Sequence, residues 1–499
     1  MEEITSDDLY KGLLGYGMFA NRLPPIFTSV SFYNYCEAYH PMYSDKKWYD
    51  YVYYSSMRNV NIPRAFGIPT PMKYQRLCLT LRDNWDALKQ HFHQQTDYQE
   101  YCVSRIHLRK LYGKKELFEM NYKNWRTDGN PETGLLFLKK QRASKFIVHA
   151  DISTCFPNIY SHSLPWALVG KELSKNTRTD DTLWYNKIDA ACSTMKNGET
   201  HGLLIGPFAS NLLSEVILTV VDKKMYDKGY RYYRNIDDYE CYVESYENAQ
   251  CFLHDLEEVL REFDLPLNHK KTEILTLPVA MAEKWVHKLN SYLAITNDEV
   301  NYKEVNAYLD LALGLATETG NSAVLNYAIK TLAGKNLTMN AKKLAAQRIM
   351  HMSDVFPYLV QLMEDSVFEP FGVGMEDIKA YSDALYTDSK MSHNYEAISY
   401  AIYFSLKHGF TLNELDIEWV IERGDCVLLL MTWLYYLKGN HGKTRATQLK
   451  PLVAEAKRLR DADMDRYWLY CYEVLSFSNL KDEWQVLKKA GVSFVKSVL

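Results

Sequence analysis

The sequence contains 499 residues, of which 47% are hydrophobic and 24% are charged, and its formal net charge is −4. These values are typical of a soluble globular protein of two or three domains, and no apolar run reaches the ~18 residues of a membrane-spanning helix. The acidic balance argues against a protein that wraps a long nucleic-acid duplex. The N-terminus is acidic and has no secretory signal, which predicts a cytoplasmic location. The nine cysteines include no CxxC pair, which predicts reduced thiols and no structural zinc.

The first 280 residues contain both helical and strand-like segments. Residues 73–92 have helical periodicity, and KFIVHADIS (145–153) is a short apolar run typical of a central strand. Helices are predicted over 186–198 and 211–229, each closed by a glycine, and an amphipathic helix is predicted over 247–264.

After about residue 280 the strand signals fade and amphipathic helices follow one another. Examples are VNAYLDLALGLATETG, SAVLNYAIKTLAG and DCVLLLMTWLYYLKG. This succession predicts an α-solenoid of stacked helix pairs, of HEAT type. Because no strict repeat period is visible, an irregular helical domain is the alternative.

The segment YYRNIDDYECYV (232–243) places Asp237 and Asp238 side by side between two strand-like runs. A hairpin turn would explain the pair, since aspartate tolerates turn geometry and bonds to its own backbone. A metal site would also explain it, because a cation makes crowded carboxylates favourable. The segment alone leaves both interpretations open.

Three further stretches suggest a chemistry shared with this hairpin. Asp151 ends an apolar strand, HGLLIGPFASNLLSE (201–215) is a Gly-Pro loop leading into a helix, and LPLNHKKTEI (265–274) contains Lys271. Phosphoryl transfer from a nucleoside triphosphate needs metal ions, and Mg²⁺ takes carboxylate oxygens as ligands. A Gly-Pro loop can approach a nucleotide closely, and a lysine can assist the leaving group. Taken singly, a strand-end aspartate is more often a cap, a Gly-Pro pair is more often a turn, and a Lys-Lys pair is more often solvated surface.

The order of these motifs resembles the palm domain of reverse transcriptases: Asp-x4-Phe, then G-x3-GP-x2-SN, then IDDY, then LN-x2-KT. The string DISTCFPNIYSHSLPWALVGKE, together with ETHGLLIGP, is similar to the abortive-infection (Abi) polymerases, an anti-phage branch of bacterial reverse-transcriptase-like proteins. The resemblance implies an α+β fold with a right-hand polymerase palm and fingers over residues 1–280. It implies an all-α, HEAT-like helical repeat domain in place of a thumb over residues 281–499.

The same resemblance implies an activity and its partners. These are DNA synthesis from dNTPs with Mg²⁺ or Mn²⁺, a homo-oligomer, a bacterial or prophage-encoded cytoplasmic protein, and untemplated synthesis primed from a protein tyrosine. The product would be single-stranded DNA attached covalently to the protein.

Carried over to this sequence, the resemblance assigns Asp151 and Asp237 as metal ligands and Asp238 as the residue that completes the acidic doublet. Lys271 becomes the lysine that assists the leaving group. Phe156 becomes the ring that stacks under the sugar and excludes a 2′-hydroxyl. The other residues assigned to nucleotide binding are Gly206, Pro207, Ser210, Asn211 and, in the fingers, Arg64.

The sequence departs from templated reverse transcriptases at three places. Ile205 stands where many have a glutamine, Asn235 stands where an aromatic residue usually precedes the doublet, and no primer-grip signature follows Thr272. Together with the acidic net charge, these departures argue against long template–primer handling and leave the metal chemistry intact.

Three functions follow as alternatives. They are a protein-primed, largely template-independent DNA polymerase of phage defence, a templated reverse transcriptase that copies an associated RNA, and a non-enzymatic polymerase-like scaffold. A priming tyrosine must retreat as the strand grows, so we expect it on a mobile segment, and mobility concentrates at termini. The leading candidates are Tyr10 and Tyr16, followed by Tyr39 and Tyr43.

Overall fold

The computed structural model describes residues 4–44, 46–57, 63–96, 107–110, 118–121, 143–278, 284–295, 299–439 and 445–496. The strands are β1 (Tyr51–Met57), β2 (Pro63–Pro69), β3 (His107–Lys110), β4 (Phe118–Asn121), β5 (Phe146–Asp151), β6 (Tyr232–Asn235), β7 (Asp238–Val243) and β8 (Glu273–Thr276).

A four-stranded antiparallel sheet with the spatial order β6-β7-β5-β8 positions the acidic residues. The apolar run before Asp151 forms β5, which lies between β7 and β8 as a central strand. The doublet segment forms the hairpin β6–β7, so the predicted strand–turn–strand pattern is confirmed. Two separate hairpins, β1–β2 and β3–β4, complete the described strands.

The other described elements in the first half of the chain are mostly helices. They are Ser6–Lys11, Val30–Tyr39, Pro71–Asp83, Trp85–Thr96, Cys155–Asn158, Ser163–Val169, Lys171–Asn176, Trp184–Thr194, Phe208–Asp227 and Tyr246–Arg261, with a π-helical turn at Gly12–Tyr16. The amphipathic helix Tyr246–Arg261 begins at Ser245, whose Oγ accepts a 3.2 Å hydrogen bond from the Asn248 N–H, and it packs on β5 and β7.

Two helix predictions needed correction in detail. The helical periodicity of residues 73–92 extends over two helices, because the Asn84 side chain donates to the Thr80 carbonyl and the Asn84 backbone leaves the helical region. The helix expected to close at Gly198 ends four residues earlier, at Thr194. The next helix ends at Asp227, and Gly229 follows with a φ of +95°, as a terminating glycine does.

The second half of the chain is rich in helices, as predicted. They are Lys284–Ile295, Tyr302–Thr319, Ala323–Ala333, Met339–Val355, Glu369–Phe371, Met375–Ser392, Tyr395–His408, Ile417–Arg423, Cys426–Lys438, Arg445–Asp463, Trp468–Val474 and Asp482–Lys489. Successive helices pack on one another, for example Met375–Ser392 on Tyr395–His408. A 3₁₀ segment at Pro357–Leu362 and a π segment at Glu364–Phe368 interrupt the series, and a HEAT-like repeat stays a prediction.

The two halves share one continuous apolar core in the described residues. Near the C-terminus, Val495 forms a β-bridge with Phe27, and the Thr28 N–H donates to the Phe494 carbonyl at 2.9 Å. These contacts join the C-terminal segment to the N-terminal one. The domain boundary near residue 280 stays a prediction.

None of the described helices has the length and apolarity needed to cross a membrane. The eight described cysteines are all free thiols, and seven of them are buried.

Candidate active site

Three aspartates converge at one end of the four-stranded sheet. Asp151 is the last residue of β5, and the register places it opposite Asp238, the first residue of β7. Asp237 lies in the turn before β7, and its carbonyl accepts a 3.0 Å hydrogen bond from the Ile152 N–H. Each carboxylate offers an oxygen, and these oxygens lie within 4.8 Å of one another. Across the described ranges, no other group of three acidic, histidine or cysteine side chains is arranged in this way.

The turn that presents Asp237 has an unusual backbone. Only Ile236 and Asp237 separate the paired residues of β6 and β7, and Ile236 has a φ of +59°. A β-branched residue rarely adopts a positive φ, and such a conformation costs on the order of 1–3 kcal/mol. Surrounding contacts must therefore hold this turn in place.

Asp151 is the best-supported carboxylate of the three. Its Oδ2 lies 2.5 Å from the Lys271 Nζ, and its Oδ1 accepts a 2.9 Å hydrogen bond from the Asn268 side chain. Burial alone would raise the pKa of Asp151, but the hydrogen bonds with Lys271, Asp238 and Asn268 outweigh it and hold the pKa below its usual value. Asp151 is therefore ionised under ordinary conditions.

The pKa values of the other two carboxyl groups shift in the opposite direction, upwards. Burial and then the charge of Asp151 raise the pKa of Asp237. Burial, the hydrogen bond with Asp151 and the charge of Asp237 raise the pKa of Asp238 to about 7. The neighbouring carboxylates contribute to both shifts, and a divalent cation would offset that repulsion by neutralising the charge. The all-oxygen donor set fits Mg²⁺ or Mn²⁺, and Asp151 and Asp237 are the residues that would hold it.

The Gly-Pro loop lies between β2 and the segment that contains Ala20. Gly206 has a φ of +129°, and a Cβ at this position would lie 3.3 Å from the Gly67 carbonyl oxygen and 3.4 Å from the Ala20 Cβ. The Gly67 N–H also donates a 2.9 Å hydrogen bond to the Ile205 carbonyl. A glycine is therefore required here both by its backbone conformation and by the close approach of β2.

The residues after Gly206 begin the helix Phe208–Asp227. Pro207 precedes its first turn, and the Phe208 N–H donates a 2.8 Å hydrogen bond to the Gly17 carbonyl. Ser210 is buried, whereas Asn211 is half-buried. Of the two polar side chains that the resemblance assigns to the nucleotide, Asn211 is thus the more accessible.

Phe156 lies in the short helix Cys155–Asn158 that follows β5. Its side chain is partly buried against the core, and its carbonyl accepts a 2.9 Å hydrogen bond from the Leu203 N–H. This bond links the residue expected to face the sugar to the segment that carries the Gly-Pro loop. Arg64 is exposed on β2, and its positive charge is among the influences that lower the pKa of Asp237 against the larger effect of burial.

The tyrosine candidates differ in accessibility. Tyr10 is only 2% exposed and lies in the helix Ser6–Lys11, where its ring contacts Tyr33, so it is not accessible in this structure and its role as a primer stays a prediction. Tyr16 and Tyr43 are half-buried. Tyr39, at the end of the helix Val30–Tyr39, is 70% exposed.

Asn268 was not singled out from the sequence, although it belongs to the motif LN-x2-KT. Its side chain contacts Asp151, and its backbone N–H donates to the Asp151 carbonyl at 2.7 Å. The fixed spacing between Asn268 and Lys271 was the available signal, because one tight turn brings both residues to the same carboxylate.

Comparison with known proteins finds one family model that matches the part of the chain containing this site. Residues 93–306 match the family model described as reverse transcriptase (RNA-dependent DNA polymerase). The matched segment includes the three aspartates, the Gly-Pro loop and Lys271. This segment is therefore similar to the reverse transcriptase family, and membership of the abortive-infection branch stays a prediction.

Among solved structures, the chain is similar to one described as apo telomerase from Candida Tropicalis truncated from its C-terminal domain. The two are 11% identical with a TM-score of 0.30, and the match covers 50% of this chain and 55% of the telomerase chain. The chain thus spans about half the length of that relative. No curated protein matches this sequence.

Proposed function

We propose that this protein makes DNA from deoxynucleoside triphosphates by two-metal catalysis. The observation that carries the proposal is the convergence of Asp151, Asp237 and Asp238 within 4.8 Å at the end of β5 and the facing turn. Asp151 and Asp237 hold the ions, and Asp238 completes the acidic cluster. When bound, the metal ions neutralise the triphosphate and align an in-line attack on the α-phosphorus.

The side chains around this cluster divide the remaining work. Lys271 protonates the pyrophosphate as the bond between the α-phosphorus and the bridging oxygen breaks. Phe156 packs under the sugar and selects deoxynucleotides by occupying the space of a 2′-hydroxyl. The remaining nucleotide contacts come from Gly206, Pro207, Ser210 and Asn211 around the Gly-Pro loop, and from Arg64 on β2.

We propose further that synthesis is primed by a tyrosine and needs no template. The support is the resemblance of residues 151–172 to abortive-infection polymerases, with Ile205 and Asn235 in place of residues usual in templated enzymes. A primer must reach within ~3–3.5 Å of the α-phosphate and then withdraw. Of the four tyrosines considered, Tyr39 has the exposure that such movement requires. The same resemblance supports a homo-oligomer that acts in phage defence in a bacterial cytoplasm.

A templated RNA-directed DNA polymerase is the second candidate. It is favoured by the family model itself, which is described as RNA-dependent DNA polymerase and matches residues 93–306. A non-enzymatic scaffold is disfavoured, because a crowded acidic cluster whose members have opposed pKa shifts has no role in packing.

The metal site is tested with Asp237→Asn, which removes a charge at nearly constant volume. We expect at least about a hundredfold less dNTP incorporation, since losing a ligand removes several kcal/mol of charge stabilisation. Binding of Mn²⁺, measured by electron paramagnetic resonance, should weaken in parallel while the melting temperature changes little. Asp181→Ala, at an exposed turn, is the matched control. Wild-type incorporation by Asp237→Asn would refute the site.

Priming and templating are separated by one experiment on protein purified from cells. Nuclease trimming, proteolysis and mass spectrometry should find a nucleotide adduct on a tyrosine, with Tyr39 expected first. Sequencing of the attached DNA should find no match to cellular or bound RNA. A product without any adduct, complementary to a bound RNA, would replace this proposal with the templated polymerase.

A further inference from the structure

A buried ionic network lies directly behind the turn that carries Asp237. Arg234, on β6, pairs with Glu215 and Asp222 of the helix Phe208–Asp227, and the side chains of all three are 0% exposed. The two acids are seven residues apart and therefore lie on one face of that helix. The Tyr232 hydroxyl also donates to Asp222, at 2.7 Å.

Every N–H of the Arg234 guanidinium is used. Nη1 and Nη2 donate to the two Glu215 carboxylate oxygens at 2.9 and 2.8 Å, and Nε and Nη2 donate to Asp222 at 3.1 and 2.7 Å. The remaining donor of Nη1 makes a 2.7 Å hydrogen bond to the Ile236 carbonyl. The network therefore ends on the backbone of the strained turn.

Packing alone does not explain this arrangement. A buried ion network carries a large desolvation cost, and apolar side chains of similar volume often stabilise a core as well or better. Here the carboxylates of Glu215 and Asp222 fix the plane of the Arg234 guanidinium. The guanidinium in turn donates a hydrogen bond to the carbonyl of Ile236, the residue with a φ of +59°. The next residue is Asp237, whose own carbonyl accepts a hydrogen bond from the Ile152 N–H. The turn is thus clamped at two successive carbonyls, by Arg234 and by Ile152, which follows β5.

We infer that Arg234 is a positioning residue that, held by Glu215 and Asp222, fixes the Ile236 carbonyl and thereby the spacing between Asp237 and Asp151 needed to bind two metal ions. The inference rests on the proposed function of the three aspartates. It assigns Arg234, Glu215 and Asp222 a role in metal binding without contact to metal or substrate. Residues that orient metal ligands typically change metal affinity by about 10–100-fold when they are replaced.

The test is Arg234→Lys, which keeps the positive charge but loses the planar fork that reaches both acids and the carbonyl. We expect Mn²⁺ binding, followed by electron paramagnetic resonance, to weaken about tenfold or more while the secondary structure by circular dichroism is retained. The turnover number should fall with little change in the KM for dNTP. Arg231→Gln is the matched control, because among the described residues the Arg231 guanidinium donates to the Tyr226 and Tyr230 carbonyls and packs on the Tyr226 ring, with no described contact to the turn.

A double-mutant cycle with Ile236→Gly separates positioning from general stability. Glycine adopts a positive φ without steric cost, so the turn should depend less on the clamp. We expect Arg234→Lys to weaken Mn²⁺ binding less in the Ile236→Gly background than in the wild type. Equal weakening in both backgrounds would overturn the inference.

Two further results keep the inference separable from other causes. If Arg234→Lys does not fold, the triple variant E215Q/D222N/R234M removes the charges together and avoids an unpaired buried ion. A folded Arg234 variant with wild-type Mn²⁺ affinity overturns the positioning role while leaving the aspartate site intact. If Asp237→Asn binds Mn²⁺ as the wild type does, the metal site itself is wrong and the inference falls with it.

Discussion

At the scale of single residues, Lys271, which we propose assists the leaving group, also pairs with a carboxylate that we propose binds a metal ion. Its Nζ lies 2.5 Å from the Asp151 Oδ2, so the ammonium would compete with a bound cation for this carboxylate. We expect Lys271→Met to strengthen Mn²⁺ binding, because a competing ammonium is lost, and to slow incorporation about a hundredfold, because proton donation to a leaving group is worth ~10²–10⁴. Metal titration and steady-state kinetics measure the two effects separately.

The neighbouring Lys270→Met is the control, since Lys270 is exposed and its side chain has no described contact with the aspartates. Weaker metal binding by Lys271→Met would mean that the ammonium supports the site rather than competing for it. Unchanged incorporation would remove Lys271 from the mechanism.

Asp151, Asp237 and Lys271 could be identified from the sequence because each motif is recognised from its own residues and their spacing. Asp151, Asp237 and Lys271 lie in separate motifs, and the structure brings them to one end of the sheet. The burial of Tyr10 was not predictable in the same way, because it depends on Tyr33 and Arg82 from distant segments that cover its ring. Arg234 was missed because a single arginine in a strand has no pattern that reveals its buried partners.

At the scale of elements, the Gly-Pro loop depends on the absence of a side chain at Gly206. Gly206→Ala would suffer the strain of a φ of +129°, on the order of 1–3 kcal/mol, and would also press on the Gly67 carbonyl and the Ala20 side chain. We expect a lower melting temperature and a KM for dNTP raised several-fold, since the loop would shift away from β2.

Gly229→Ala provides a matched comparison for this variant. Gly229 also has a positive φ, of +95°, but a Cβ there would meet nothing within 4 Å. Gly229→Ala should therefore lose a similar stability and keep the wild-type KM. Equal KM values for the two variants would show that the Gly-Pro loop does not contribute to nucleotide binding.

The sequence predicted the type of most elements and few of their boundaries. The hairpin β6–β7 and the central strand β5 follow from alternating and apolar runs, which depend on neighbouring residues alone. The break at Asn84 follows from one side-chain hydrogen bond to Thr80, and apolar periodicity continues across it. The spatial order β6-β7-β5-β8 was not predicted, because strand pairing joins residues far apart in the chain.

At the scale of the whole molecule, the described apolar core contains residues from both sides of the division predicted near residue 280. Phe494 is fully buried and its ring contacts Phe32 from the N-terminal half and Trp468 from the helical half. The Trp468 indole N–H reaches the Ile68 carbonyl of β2 at 3.4 Å. Strand signals fade after about residue 280, but long-range contacts leave no local sequence signal.

Glu396 joins the two halves through a buried polar contact. It is 1% exposed, and its carboxylate accepts hydrogen bonds from the Ser56 Oγ, the Met57 N–H and the Gln361 side chain at 2.6–2.7 Å. The Arg22 guanidinium in turn donates to Gln361 at 2.6 Å. The hairpin β1–β2, the N-terminal segment and the helical half therefore meet at one carboxyl group.

This contact predicts that stability depends on pH. Burial, which outweighs the hydrogen bonds from Met57, Ser56 and Gln361, raises the pKa of Glu396 to about 7, from an ordinary value near 4.5. Between these two pH values the folded chain keeps a proton that the unfolded chain releases. The free energy of unfolding should therefore fall as pH rises through this window, by up to about 1.4 kcal/mol per pH unit from this group.

Glu396→Gln removes the titration, so the difference in unfolding free energy between wild type and variant should change between pH 5 and pH 7.5, with the wild type losing stability relative to the variant. Urea unfolding at several pH values measures this difference directly. Glu376→Gln, at an exposed position of the helix Met375–Ser392, controls for the substitution itself and should run parallel to the wild type. A difference between wild type and Glu396→Gln that is independent of pH would show that the junction is stabilised by contacts other than the protonated carboxyl group. A loss confined to the helical half, seen as a separate transition, would show that the shared core does not unfold as one unit.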